Sequence, residues 1–142
     1  MTTFNGFQFI AYYDADGFSL DASNNGIGPA KILSLQVAVD QEYVKNLDEM
    51  FVKTIGEDHG LSYDDWLVGD INNKVIEASY DKYLLRLIWN EKTREFQKHL
   101  GRVNLEIVYA SIFDECWKVT SDKGSEACDC PEQSDLGLQF TF

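Results

Sequence analysis

The chain has 142 residues, 44% of them hydrophobic and 13% aromatic, with 24 Asp and Glu against 12 Lys and Arg. This composition is too apolar for a disordered acidic tail, and the length fits a single domain over residues 1–142. The formal net charge of −12 at pH 7 disfavours direct binding of nucleic acid, because affinity for phosphates comes largely from Lys and Arg.

The amino-terminal residues and the cysteines bear on where the protein works. Residues 1–6 lack a basic segment followed by an apolar stretch, so neither a secretory signal nor a membrane span is predicted, and a cytoplasmic location without a membrane partner is expected. The three cysteines, Cys116, Cys128 and Cys130, are odd in number and crowded into the last quarter of the chain. That pattern favours reduced thiols over a disulfide-stapled secreted domain.

Two strands are predicted before residue 40. Residues 7–13 are rich in aromatic and β-branched side chains and are followed by the turn signal Asp14-Ala15-Asp16-Gly17. A surface loop is expected from there roughly through Pro29, because residues 23–28 tolerate positive φ and form poor sheet ladders. The second strand spans about residues 31–39, and its nearly uninterrupted apolar sequence predicts burial.

A main amphipathic helix is predicted over residues 40–55. Asp40 has the chemistry of an N-cap, the apolar residues after it switch to helical spacing, and Gly56 ends the pattern. A short second helix is expected from Ser62, because Ser62 and Asp65 have the S-x-x-D form of a capping box before an apolar run.

The second half of the chain favours an antiparallel meander. Apolar residues alternate along 83–89 and along 103–113, and Asn90-Glu91-Lys92-Thr93 is typical of a hairpin connection. A single long helix over residues 73–100 is the alternative, because several apolar residues there also fit a helical stripe. Residues 136–142 alternate again and are interpreted as a last strand. The predicted fold class is α+β: an antiparallel β-meander with one main amphipathic helix and one short helix packed on it.

The turn after the first strand contains a motif that carries chemistry in one enzyme family. Asp14-Ala15-Asp16-Gly17 resembles the D-x-D-G opening of haloacid dehalogenase-type phosphotransferases, and Gly69-Asp70 has a faint likeness to the metal-binding motif near their end. The resemblance implies a nucleophilic Asp14 and a general acid/base Asp16 beside Mg²⁺. The usual Thr after the motif is Phe18 here, and no alternation of strands and helices separates the two motifs, so a turn with two solvated carboxylates is favoured.

Two further groups of side chains have ligand chemistry without the spacing of a metal site. The oxygen donors are Asp14, Asp16, Asp21 and Asn24. The sulfur and imidazole ligands are Cys116, Cys128, Cys130 and His99. Since His59 and His99 also stand near no activated serine or cysteine in the sequence, we predict no metal, no cofactor and no catalytic residue, and the protein is not expected to be an enzyme.

Charge is unevenly distributed along the chain, and one segment stands out. Residues 57–81 contain seven acidic residues against Lys74 alone, residues 82–102 are net basic, and residues 103–142 are acidic again. We expect the basic middle to be neutralised by its acidic flanks. Carboxylates around one aromatic residue then predict a partner-binding patch, for which we select Glu57, Asp58, Asp64, Asp65, Trp66 and Asp70.

These features predict an acidic inhibitor that binds a basic protein such as a nuclease or a nucleic-acid-guided effector, through a surface that mimics nucleic acid. An immunity protein against a toxic nuclease and a phage-encoded inhibitor of restriction or CRISPR machinery share this physics, and the sequence does not choose between them. The alternative is a small α+β enzyme or ligand-binding domain with a pocket between the helix and the sheet, into which Arg86 projects. The oligomeric state is left open.

Overall fold

The computed structural model describes residues 7–69, 71, 74–131 and 140, and within them ten strands and two helices are formed. The strands are β1 (Phe7–Tyr13), β2 (Gly17–Asn24), β3 (Ala30–Val39), β4 (Glu42–Val44), β5 (Trp66–Val68), β6 (Val75–Ile76), β7 (Tyr80–Ile88), β8 (Val103–Ala110), β9 (Cys116–Thr120) and β10 (Gly124–Cys128). The helices are α1 (Leu47–Ile55) and α2 (Glu91–Lys98), and a 3-10 turn, Leu100–Arg102, follows α2. Among these elements no helix has the length and apolar character that a membrane crossing requires.

The strands form two antiparallel sheets that share one hydrophobic core, which confirms the predicted α+β class. The four-stranded sheet has the order β1-β2-β7-β5. The six-stranded sheet has the order β10-β9-β8-β3, with β4 and β6 pairing with different parts of β3. Buried apolar side chains of both sheets and both helices belong to a single core cluster.

The loop predicted between the first two strands is wrong, since β2 occupies most of it as an inner strand of the four-stranded sheet. Phe18, Leu20 and Ala22 are buried, so the period-2 pattern of a strand is present beneath a Ser- and Asn-rich composition. A Cβ atom on Gly17 would lie 2.0 Å from the carbonyl oxygen of Leu87. Only glycine therefore allows β2 to approach β7 so closely at this point.

Helix α1 begins well after Asp40, the predicted N-cap. Asp40 and Gln41 have positive φ values of 51° and 73° and form the tight turn between β3 and β4. The N-cap is Asn46, whose side chain accepts a hydrogen bond from the backbone N–H of Glu49 at 2.9 Å. The predicted end is confirmed, because Gly56 follows the helix with a φ of 97°.

The second helix lies at a different place from the one predicted. The segment that starts at Ser62 forms a turn leading into β5, although the predicted capping contact is present: the Ser62 N–H donates to the Asp65 carboxylate at 2.8 Å. The helix forms instead at α2, where Asn90 and Thr93 cap each other reciprocally. Neither the hairpin predicted there nor the long helix considered over residues 73–100 is correct, because β7 is followed closely by α2.

The two helices meet over the core through aromatic side chains. Phe51 of α1 and Phe96 of α2 are fully buried, with ring centroids 5.0 Å apart in an edge-to-face arrangement. The ring of Trp66 in β5 also contacts Phe51, at 5.4 Å between centroids. Burial of each phenylalanine contributes about 1.5–3 kcal/mol. Strand β5 is therefore held by α1 as well as by β7.

Two of the three cysteines are joined in a disulfide, so the expectation of reduced thiols is wrong for them. Cys116 lies opposite Cys128 in the β9–β10 ladder, but its sulfur bonds to Cys130. Cys128 is a free thiol, and burial raises its pKa above the ordinary value. The sequence could not show this pairing, because it depends on how the β9–β10 hairpin folds residues 124–130 back along β9.

The last strand predicted over residues 136–142 lies outside the described residues, except for Phe140. That side chain is 1% exposed, and its backbone N–H donates to the carbonyl oxygen of Leu35 in β3 at 2.9 Å. Phe140 therefore joins the core beside β3.

Candidate partner-binding surface

An open groove lies between β5, the amino-terminal end of α1 and the loop that joins them. Its volume is about 690 Å³, and its lining includes Leu47, Leu61, Tyr63, Trp66 and Val68. We call this the β5 groove. It places the segment selected from the sequence charge, residues 57–66, beside an apolar depression.

Three apolar side chains of the β5 groove face solvent. Tyr63 is 88% exposed, Leu67 61% and Val68 38%. A single exposed apolar residue is ordinary, but three within a short segment beside a groove are typical of a binding surface.

Trp66, the selected aromatic residue, forms the inner wall of the groove. It is partly buried, and it lies opposite Leu87 in the β5–β7 ladder. Its ring packs against Phe51, and the exposed ring of Tyr63 lies 5.6 Å from it between centroids. Trp66 thereby connects the exposed tyrosine to the core.

Of the selected carboxylates that the structure describes, Asp65 is engaged inside the fold. It is 9% exposed, and it accepts hydrogen bonds from the Ser62 N–H and from the side-chain amide of Asn90, both at 2.8 Å. Asn90 is also the N-cap of α2. Asp65 therefore ties the groove loop to α2, and we leave it out of the surface that a partner contacts.

The other selected carboxylates differ from Asp65 in exposure. Glu57, Asp58 and Asp64 are exposed, and none of them forms an ion pair with any residue that the structure describes. Asp70 lies outside the described residues. The loop beside the groove thus carries negative charge that these contacts do not neutralise.

Asp48, at the start of α1, adds a carboxylate to the groove lining that the sequence did not single out. Its Oδ1 lies 3.0 Å from Nε2 of His59, while Nδ1 of His59 accepts a hydrogen bond from the Leu61 N–H at 2.9 Å. Because Nδ1 accepts, the proton of the neutral imidazole is assigned to Nε2, which donates to Asp48. His59 therefore has a structural role, fixing the loop against α1.

Several side chains of the basic stretch over residues 82–102 are engaged within the fold. They form the ion pairs Arg102–Asp40 and Lys98–Glu95 and the cation–π pairs Arg86–Tyr83 and Arg94–Trp89. The partner of Arg102 is Asp40, which lies outside both acidic flanks, and Arg86 and Arg94 stack on aromatic rings. Among the described residues no ion pair joins the basic stretch to residues 57–81 or 103–142, so the expected neutralisation by the flanks is not seen in these contacts. Lys92 does lie against the groove loop, since its ammonium donates to the carbonyl oxygen of Gly60 at 2.9 Å.

Arg86 does not enter a pocket between helix and sheet, so that expectation is wrong. It pairs with Ser19 and Leu67 across the neighbouring strands and lies on the outer face of the four-stranded sheet. Its neighbours Leu85 and Leu87 are buried, and alternation along β7 turns Arg86 away from the core.

The same outer face carries two carboxylates bound by hydroxyl groups of the chain. Asp21 is buried and accepts a hydrogen bond from the Ser19 hydroxyl. Asp81 accepts from the Tyr12 hydroxyl at 3.0 Å and from the Ser23 hydroxyl at 2.6 Å. The bond to Asp81 raises the pKa of Tyr12 above its ordinary value. These contacts hold β1, β2 and β7 together across the sheet.

The Asp-Ala-Asp-Gly motif forms the turn of the β1–β2 hairpin. Oδ1 of Asp14 accepts hydrogen bonds from the N–H groups of Asp16 and Gly17, at 2.8 and 2.9 Å. A phosphotransferase of the type that this motif resembles needs a doubly wound sheet of alternating strands and helices, whereas the strand pairs here are antiparallel. The motif is a hairpin turn, and the resemblance gains no support from the fold.

Two contacts engage members of the ligand sets that were considered for metal ions. The Asn24 amide donates to the carbonyl oxygens of Gly28 and Ile76, and Cys116 is bonded to Cys130. Within the described ranges no group of three or more His, Cys, Asp or Glu side chains is placed to hold a metal ion.

Comparison of the chain with protein-family models, with curated proteins and with solved structures finds no match. The geometry of the β5 groove and the charge beside it are therefore the observations from which a function is inferred.

Proposed function

We propose that the protein is an acidic inhibitor that binds a basic, nucleic-acid-handling protein through the β5 groove and the loop beside it. The observation that carries this proposal is the exposed Tyr63 ring, which lines an apolar groove and belongs to the same loop as the exposed residues Asp58 and Asp64. An exposed aromatic ring beside an apolar groove offers a partner a large contact area together with a polar hydroxyl group.

Charge and apolar contact have different tasks in this proposal. The carboxylates of Glu57, Asp58 and Asp64 stand in for nucleic-acid phosphates and attract the Lys and Arg of the partner's binding site, which accelerates association about 10-fold or more at low salt. Tyr63 and Leu67 then hold the complex, because buried aromatic and aliphatic anchors dominate dissociation. The partner's substrate is excluded while the complex lasts.

An immunity protein for a toxic nuclease and a phage-encoded inhibitor of restriction or CRISPR machinery both fit this mechanism. In each setting the partner has a groove lined with Lys and Arg that normally receives a phosphate backbone. The nature of the captured partner distinguishes them.

A cytoplasmic location remains part of the proposal, and the Cys116–Cys130 disulfide is the feature that argues against it. Disulfides persist in oxidising compartments and are rare in the reducing cytosol. Alkylation of thiols in freshly lysed native cells, followed by mass spectrometry, reports whether Cys116 and Cys130 are joined there. Two free thiols would support the cytoplasm, and an intact disulfide would place the protein outside it.

The central test is capture of partners from native or host lysate at low and at high salt. The expected result is a basic nuclease or nucleic-acid-guided effector whose activity falls when the purified protein is added. The double variant Asp58→Asn/Asp64→Asn slows association about 10-fold at low salt and has little effect at high salt, because salt screens surface charges. Tyr63→Ala speeds dissociation at both.

The matched control is Asp122→Asn/Glu126→Gln, which removes the same amount of charge from exposed positions at the β9–β10 hairpin. Its binding should remain close to that of the parent protein. If both double variants weaken the complex equally, the loop beside the groove is not the contact surface. Failure to inhibit the captured partner would refute the inhibitor proposal itself.

A further inference from the structure

Among the described residues, strand β5 pairs with β7 alone and is the last strand of the four-stranded sheet, so its other edge has no partner strand there. The carbonyl oxygen of Asp65 accepts from the Ile88 N–H at 3.1 Å, and the Gly69 N–H donates to the carbonyl oxygen of Leu84 at 3.0 Å. These bonds fix which backbone groups of β5 face β7.

The backbone groups of Trp66 and Val68 face the other way. In an antiparallel ladder, successive residues direct their N–H and C=O groups to opposite edges. Since residues 65, 67 and 69 face β7, the N–H and C=O groups of Trp66 and Val68 project from the free edge, and no residue that the structure describes bonds to them. This edge offers two donors and two acceptors in register.

The free edge borders the β5 groove, so an added strand would also find contacts for its side chains. Leu61 and Trp66 supply an apolar wall, and Asp48 supplies a carboxylate in the same lining. Asp64 is exposed next to this edge in the sequence. Because alternate side chains of a strand point to opposite faces, a segment that fits here directs its apolar side chains into the groove. The Lys or Arg side chains between them lie on the other face, where the net negative charge of the protein and the exposed loop carboxylates attract them.

We infer that β5 is an edge for strand addition, at which an extended segment of the basic partner, alternating apolar and Lys or Arg residues, pairs with Trp66 and Val68. The inference rests on the proposed function and gives it a binding mode. Charge selects this occupant over a second copy of the chain, because pairing two β5 edges would bring two acidic loops together.

The test uses a synthetic peptide of alternating Val and Lys and measures amide hydrogen exchange in the folded protein. Binding should slow exchange of the Trp66 and Val68 amides at least about 10-fold, because both become hydrogen-bonded. The Leu67 amide faces β7 and should change little. A peptide of alternating Val and Glu, with the same apolar residues and the opposite charge, should not bind.

The variant Val68→Pro removes one outward N–H without removing a bond to β7, which is the position at which an edge strand tolerates proline. We expect it to weaken binding of the Val-Lys peptide about 10-fold or more, whereas Val68→Thr keeps the donor and binds as the parent does. Thermal unfolding checks that both variants are folded. If Val68→Pro does not fold, the exchange measurement on the parent protein decides.

Two outcomes overturn the inference. One is peptide binding with unchanged exchange at Trp66 and Val68, which means docking without strand addition. The other is no binding of the Val-Lys peptide up to about 1 mM. Neither result touches the proposed function, which fails if the Asp58 and Asp64 substitutions weaken capture of the partner no more than the Asp122 and Glu126 control does, or if the captured partner is not inhibited.

Discussion

The outer edges of β3 and β5 differ in how far other described segments of the chain cover them. Along β3 the edge is covered in sections: β6 pairs near Ala30, the N–H of Phe140 bonds to Leu35, and β4 pairs near Val37. Along β5 the described residues provide no such cover. Exposed edges invite pairing with other chains, and proteins usually block them. The described residues thus cover the edge of β3 with three separate segments and leave the edge of β5 uncovered beside an apolar groove, and the proposed strand addition would account for this difference.

Replacing one residue at each edge tests this comparison most strongly. Phe140→Ala removes a fully buried ring at the covered edge, and we expect it to lower the free energy of unfolding by about 3–5 kcal/mol. Leu67→Ala at the open edge should change it by no more than about 0.5 kcal/mol, because the side chain is exposed. Urea unfolding of both variants measures the difference. Equal effects would mean that β5 contributes to the core as β3 does.

The next largest expected effect on the free energy of unfolding comes from reduction of the disulfide. The Cys116–Cys130 bond closes a loop with a sequence separation of 14, so its loss should lower the free energy of unfolding by about 3 kcal/mol. The measurement compares urea unfolding of Cys128→Ser with and without reductant, since that background cannot exchange disulfides. The exchange rates at β5 should not change, because the bond joins β9 to the segment after β10. A change in the amide exchange rate of Trp66 on reduction would contradict the expectation that the disulfide does not affect β5.

A smaller difference in the free energy of unfolding is expected between substitutions of two adjacent residues of the groove loop, Asp65 and Asp64. Asp65→Ala should lower the free energy of unfolding by about 1–3 kcal/mol, because it leaves the Ser62 N–H and the Asn90 amide without their acceptor. Asp64→Ala should stay within about 0.5 kcal/mol. Thermal and urea unfolding of the pair measure the difference. If Asp64 proves as costly as Asp65, its carboxylate is part of the fold and cannot serve the partner.

The smallest expected effect is on the pH dependence of stability, through Asp40 in the turn between β3 and β4. The hydrogen bond from Arg102 holds the pKa of Asp40 below its ordinary value. A carboxyl whose pKa is lowered by folding stabilises the protein above about pH 4, and that contribution is lost as the pH falls further. Asp40→Asn should therefore reduce the loss of stability between pH 5 and pH 3, measured by urea unfolding at several pH values. An unchanged pH dependence would show that the pair has no net effect.

The elements that were predicted correctly are those whose sequences have a strong hydrophobic periodicity. Strands β1, β3, β7 and β8 and the end of α1 at Gly56 follow from alternation and helical spacing in the sequence. Strand β2 was missed because Ser, Asp and Asn between its apolar residues have the composition of a loop, and tertiary pairing on both sides overrode it. Helix α2 was missed because Asn90 and Thr93 suit a turn and a capping box equally well.

The site selected from the sequence stays a prediction, and the structure adds detail to it. The selected segment lies beside a groove, but the sequence could not separate buried Asp65 from exposed Asp64, because that depends on Asn90 at the start of a distant helix. The exposure of Tyr63 was also missed, because it depends on how the neighbouring elements pack around the loop. Apolar residues at the surface resemble core residues until the neighbouring elements are placed.

The two hydrogen bonds of Asp65 have a consequence for how tightly a partner is held. They fasten the turn that carries Tyr63 to the capped end of α2 before any partner arrives. A preorganised surface loses little conformational entropy on association, so more of its contact energy is retained as affinity. If the β5 groove is the contact surface, substitution of Asn90 should then shorten the lifetime of the complex by loosening the turn that carries Tyr63.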